Sequence, residues 1–274
     1  MLKKRVIFTL LFADGSFMLS RNFRLQRVGD IDWLQRNYNF SDVAFYIDEL
    51  VVLDVSRGKR DFDLFCETLR QIVRGCFAPI AAGGGLRDLE SARQLLRSGA
   101  DKVILNSALI EDPALVLSIA QEFGQQCVIA SLDVKRDSDG TYQTYISNGE
   151  CRVDASASDV LGRDTQKMIG EIYLNSMERD GTGQGFDFET LDLVPKDCHL
   201  PVILVGGVGN ARHLAEGLSD HRVDAVATAH LFNFVGDGLK KARIQLSEES
   251  KSLAIWPEID SVQFDHFSSG EDWT

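Results

Sequence analysis

Two stretches of this chain, RVIFTLLFADG (Arg5 to Gly15) and CVIASLDVKRDSDG (Cys127 to Gly140), each run an apolar segment into a charged, glycine-ended loop. The second carries Asp133 at the end of the segment, where a carboxylate can act as a general acid or base. The first carries Leu11 there, a residue that cannot transfer a proton at any pKa. AAGGGLRD (81–88) and VGGVGNAR (205–212) set Gly84 with Gly85, and Gly206 with Gly207, between an apolar run and a helical pattern. Such glycines let backbone N–H groups and a helix N-terminus approach a phosphate, or serve only a tight turn. Asn106-Ser107 and Thr228-Ala229 end the next apolar runs, so the pairs suggest two phosphate sites on opposite sides of one mouth. His230, beside the second pair, is larger than a phosphate pocket usually wants. Arg5, Glu49, Lys102 and Glu171 each open an apolar run. Charges pointing into a protein interior are costly unless paired. Two of each sign can neutralise one another as a ring, although any one of them alone reads equally as a surface charge.

These residues need a scaffold, and its rhythm is regular. The sequence predicts strands near Val6–Leu11, Glu49–Val55, Pro79–Ala82, Lys102–Asn106, Val128–Asp133, Glu171–Asn175, Pro201–Val205 and Ala225–Ala229. Amphipathic helical patterns lie between them, such as DLESARQLLRSG (88–99) and DPALVLSIAQEFG (112–124), the latter with an Asp-Pro start and a glycine stop. Eight such units, each followed by a helix, predict an α/β fold: a closed (β/α)8 barrel over 1–246. YQTYISNGECRV (142–153) alternates around Asn148-Gly149 and predicts a β-hairpin inserted after strand five. Residues 247–274 are acidic and aperiodic and read as a loosely ordered tail. The halves repeat: Asp133 lies 122 residues beyond Leu11, Gly206 beyond Gly84, Thr228 beyond Asn106 and Glu171 beyond Glu49. A constant offset over four landmarks describes a duplicated half-barrel.

Composition narrows the classes. The net charge of −12 argues against a nucleic-acid partner. Five scattered cysteines without a C-x-x-C pair suit a reduced cytoplasmic protein. The apolar run after the first lysines meets Asp14 too soon for a signal peptide or a membrane span. No histidine or cysteine spacing suggests a metal, and no cofactor is expected. Several residues read blandly: Asp54 as ligand contact or loop anchor, Lys135 and Arg136 as a solvated hairpin base, His213 and His221 as surface residues. Phe232 and Phe234 read as core, and Trp256 as a tail residue that could seal a partner contact.

RVIFTLLFADG, IDELVVLDV, GGGLRDLESARQLLRSGADKVILNS, ASLDVKR, GEIYLNSMERDGTGQGFD and PVILVGGVG resemble the cyclase subunit of imidazole glycerol phosphate synthase over about residues 1–245. The resemblance implies a barrel that receives ammonia from a glutaminase subunit docked on its floor. It implies an ammonia gate at Arg5, Glu49, Lys102 and Glu171, a catalytic aspartate at Asp133 and an active-site acid at Asp180. Phosphate-binding positions follow at Gly84, Gly85 and Asn106, and in the RDGT motif at Gly181 and Thr182. Leu11 departs from the pattern in place of the other catalytic aspartate, and His230 in place of a serine. A floor kept while the acid pair is broken resembles the paralogous branch that serves acetamidino-sugar formation in surface-polysaccharide pathways. There a separate amidotransferase uses the ammonia on a nucleotide-linked N-acetyl sugar, and a phosphorylated small molecule is the ligand expected at the old mouth. Two alternatives stay open: the cyclase of histidine biosynthesis itself, and another enzyme on the same barrel, such as a sugar-phosphate isomerase. An isomerase has no use for a four-charge floor.

Overall fold

The computed structural model describes residues 3–38, 44–229, 238–248 and 253. Twelve strands form one sheet: β1 (Arg5–Ala13), β2 (Ser16–Arg21), β3 (Arg24–Gly29), β4 (Glu49–Asp54), β5 (Ile80–Gly83), β6 (Lys102–Leu105), β7 (Val128–Arg136), β8 (Tyr142–Ile146), β9 (Cys151–Val153), β10 (Glu171–Ser176), β11 (Val202–Val205) and β12 (Ala225–Thr228). Eight of them, in the order β10-β11-β12-β1-β4-β5-β6-β7, are parallel and close where β7 meets β10, with Asp133 opposite Asn175. This is the (β/α)8 barrel expected. The strands are near-continuous runs of Val, Ile, Leu and Ala because both of their faces are buried.

Helices begin where short side chains cap them. Asp61 accepts from Leu64 N, Asp88 from Ser91 N, Asp112 from Leu115 N ahead of Pro113, and Asn210 from His213 N. The outer core lies between strands and helices. An inner core fills the bore with Ile7, Val51, Ala81, Ile104, Ile129, Tyr173, Ile203, Val205, Ala225 and Ala227.

Three expectations need correction. A full-length α-helix does not follow every strand: β10 leads into a 3-10 helix, Phe188–Leu193, and the β7 hairpin into two helices of only four residues, Ala157–Val160 and Arg163–Gln166. The hairpin after strand five is present as β8 and β9, but β7 itself runs on to Arg136 and pairs with β8, making a three-stranded meander. The first half carries a matching meander, β1-β2-β3, turned by Asp14-Gly15 and Asn22-Phe23, all at positive φ. Finally, His213 is buried rather than on the surface, because its Nδ1 accepts from Gly209 N and its ring packs against the Gly185 backbone. His221 is exposed.

Leu253 is buried and bridges to Lys4 beside β1. His230, Phe232, Phe234, Trp256 and the rest of the tail beyond Glu248 lie outside the described residues.

Candidate functional site

At the N-terminal ends of the strands the four predicted charges meet. Arg5 Nη1 donates to Glu49 Oε2 at 2.8 Å, and Arg5 Nη2 to Glu171 Oε2 at 2.6 Å. Lys102 Nζ donates to Glu49 Oε1 at 3.0 Å and to Glu171 Oε1 at 2.6 Å. Each cation thus touches both anions and the ring closes. Burial pushes Glu49 above the usual carboxylate range despite Lys102 and Arg5. Burial also acts upward on Glu171, but the Arg5 hydrogen bond and the charges of Arg5 and Lys102 outweigh it and hold Glu171 low. Desolvation opposes the charge on Arg5, and the bond to Glu171 overcomes it, so the guanidinium is held more firmly protonated.

Above the ring, alternation along each strand sets what faces the bore. On β1 the inward series after Arg5 is Ile7, Thr9 and Leu11; on β7 it is Ile129, Ser131 and Asp133; on β10, Glu171 is followed by Tyr173 and Asn175. Ile7, Val51, Ala81, Ile129, Ile203 and Ala225 make an apolar layer. Over that layer the Thr9 and Tyr173 hydroxyls are hydrogen-bonded at 2.9 Å, both side chains being buried.

At the C-terminal ends lies a cavity of about 280 Å3. Among the predicted residues it gathers Leu11, Gly84, Gly85, Asn106, Ser107, Asp133, Asp180 and Ala229. A second hollow, about 30 Å3, adjoins it and is lined by Asp180, Gly181, Gly206, Gly207, Thr228 and Ala229. Thr182 lines neither; its hydroxyl donates to Arg179 O at 2.8 Å. The glycine pairs also answer to the fold itself. A Cβ on Gly84 would stand 2.1 Å from Asp54 O, and one on Gly207 would stand 2.1 Å from Gly185 O.

Asp133 is clamped from both sides. Asn175 Nδ2 donates to its Oδ1 at 3.0 Å and Asn106 Nδ2 to its Oδ2 at 3.3 Å. Burial raises its pKa to about 7, the Asn175 bond pulling down and the Asp180 charge pushing up. Asp133 therefore exchanges a proton near neutrality, where acid–base chemistry is most efficient. Asp180 is likewise raised by burial, against the pull of Ser20 Oγ at 2.5 Å and Phe23 N at 2.9 Å. Leu11, where the duplicated half has Asp133, gives the same cavity an apolar wall with Leu25 and Leu53.

Sequence reasoning missed several lining residues. Arg57, Arg60 and Arg87 stand at the cavity, Arg60 Nε 3.8 Å from Asp54 Oδ2 and Arg87 paired with Glu111. Asp54 is raised by burial and accepts from Ser56 N, so it anchors its loop as well as lining the cavity. The two meander tips reach the mouth too: Asn148 donates to the Val55 and Ser56 carbonyls, Ser147 N to Ser107 Oγ, and Arg57 to the Phe23 carbonyl. Arg136 leans on Tyr142 and Glu189 at the base of its hairpin. The described residues include no group of three or more His, Cys, Asp or Glu that could hold a metal. No helix among them is long and apolar enough to cross a membrane.

A parallel barrel with a charge-closed floor and an aspartate-bearing cavity at its C-terminal face defines the class: a duplicated (β/α)8 barrel. The histidine biosynthesis protein family matches residues 35–236. A Parasynechococcus marenigrum protein, provisionally named imidazole glycerol phosphate synthase subunit hisF2, is 48% identical over 96% of this chain and 98% of its own length. The imidazole glycerol phosphate synthase subunit HisF of Alkaliphilus metalliredigens is 33% identical over 92% of this chain and 99% of its own. That of Chlorobaculum tepidum is 36% identical over 93% of this chain and 100% of its own. The chain belongs to the histidine biosynthesis protein family, in its HisF-like branch.

Proposed function

We propose that this chain is the barrel subunit of a cytoplasmic glutamine amidotransferase system. A glutaminase docks on the floor and delivers ammonia through the ring of Arg5, Glu49, Lys102 and Glu171. A separate amidotransferase then uses that ammonia to convert a nucleotide-linked N-acetyl sugar to its acetamidino form. The observation that carries this reading is the combination of a complete four-membered charge ring with Leu11 lining the same cavity as Asp133. A closed ring of buried charges is expensive to keep without a use for it. A mouth with one proton-transfer group where the duplication offers two is poorly equipped for cyclisation.

The second reading is the cyclase of histidine biosynthesis, joining ammonia to a doubly phosphorylated ribulosyl aminoimidazole carboxamide. It draws support from Asp133, held near neutrality by burial, and from Asp180 in the same cavity. One assay separates the two: turnover of that substrate with saturating ammonium and no glutaminase. The conduit reading predicts no turnover by the folded chain and a gain in Leu11→Asp, since a general acid or base contributes about 10²–10⁴ in rate. Robust turnover by the wild-type chain would move the assignment to the cyclase.

A further inference from the structure

The bore carries a second closure that neither the resemblance nor the charge ring accounts for. We infer that Tyr173, tied to Thr9, is an upper gate in series with the ring, so that ammonia from the floor reaches the mouth only when this bar swings aside. The inference rests on the conduit reading above.

Tyr173 stands on β10 one inward position above Glu171, and Thr9 on β1 two above Arg5. β11 and β12 lie between those strands, so the phenol reaches across the bore to find its partner. Both residues line the base of the mouth cavity, and Tyr173 belongs to the inner core beneath it. The apolar layer therefore lies on one side of the bar and Asp133, Asn175 and Ser131 on the other.

Packing alone does not call for a phenol. Ile7, Ile129 and Ile203 fill the neighbouring level with no polar atom to satisfy. A buried Tyr hydroxyl is costly without a partner, and here that partner is a single threonine hydroxyl. Burial and the nearby Asp133 and Asp180 charges keep the phenol protonated. Ammonia both donates and accepts hydrogen bonds. It can exchange for the Thr9–Tyr173 bond while leaving neither hydroxyl unsatisfied, which an apolar or purely donating solute cannot do. The bar thus passes a neutral amine and leaves the apolar layer otherwise sealed.

The test uses the barrel with its glutaminase and the sugar amidotransferase, measuring product made from glutamine against product made from saturating ammonium chloride. Tyr173→Trp, which thickens the bar, should cut the glutamine-driven rate at least tenfold and leave the ammonium-driven rate unchanged. Tyr173→Leu, which removes the bar, should raise the glutamine-driven rate at least twofold. Circular dichroism and glutaminase turnover check that each variant is folded and docked. A folded Trp variant within twofold of wild type overturns the upper gate. Should the Trp variant not fold, the Leu variant decides, and no rise in its rate overturns it. A wild-type complex making no product from glutamine removes the conduit reading, and the gate with it.

Discussion

Among the aspartates lining the mouth, Asp133 is the one that burial lifts furthest. Its pKa, about 7 in the fold, lies well above the roughly 3.9 of an unfolded aspartate. An acid raised on folding keeps its proton in the native state after the unfolded chain has lost it. Stability therefore falls as pH rises from about 4 to about 7 and is flat above; integrated, the penalty is on the order of 3–4 kcal/mol. Asp133→Asn should abolish that slope. The variant is expected to be more stable than wild type at pH 8 by about 1–3 kcal/mol, with no gain at pH 4, read from urea unfolding at both pH values. An unchanged slope would mean that Asp133 is ionised and solvated in the fold. Such destabilisation at one clamped carboxylate is a common property of sites kept for chemistry or binding rather than for packing.

Turns and strands tie the site to the frame. Gly84 has φ +111 and no room for a Cβ, whereas Gly58 has φ +106 with nothing within 4 Å. Gly84→Ala should therefore cost about 3 kcal/mol or more and Gly58→Ala about 1 kcal/mol, the difference being the clash with Asp54 O. Equal costs by urea unfolding would show that the Asp54 loop yields. Much of this frame was legible in the chain. All eight barrel strands fall where short runs rich in Val, Ile and Leu predicted them, because a strand buried on both faces writes itself as a continuous apolar run. The first meander was not seen, although Asp14-Gly15 is a strong hairpin signal. Its strands carry Arg21, Arg24 and Arg27 on a partly exposed ribbon, which blurs the alternation. The charge ring was legible because four charges recur at strand starts. Asn175 and Tyr173 share the inward face with Glu171 in EIYLNS, so their direction was readable. Their partners were not: Thr9 is 164 residues away from Tyr173, and only the closed barrel brings them together.

The whole molecule is held at its floor by buried charge as well as by apolar packing. Lys102→Met would leave Glu49 and Glu171 sharing one guanidinium in a buried setting. Breaking a buried pair typically costs about 3–5 kcal/mol, and partial exposure of Lys102 trims this to about 2–3 kcal/mol. The expected outcome is a fall in Tm of about 4–10 °C by calorimetry. A Tm unchanged within about 1 °C would mean the ring is solvated in practice. The ring has one more consequence, for the order of assembly on the ribosome. Arg5, Glu49 and Lys102 come from the first half of the chain, and Glu171 alone from the second. A nascent first half therefore holds two cations against one anion, and its β1 edge has no β12 to pair with. Charge balance and edge closure both wait for the last strands, so the first half cannot reach a neutral interior by itself.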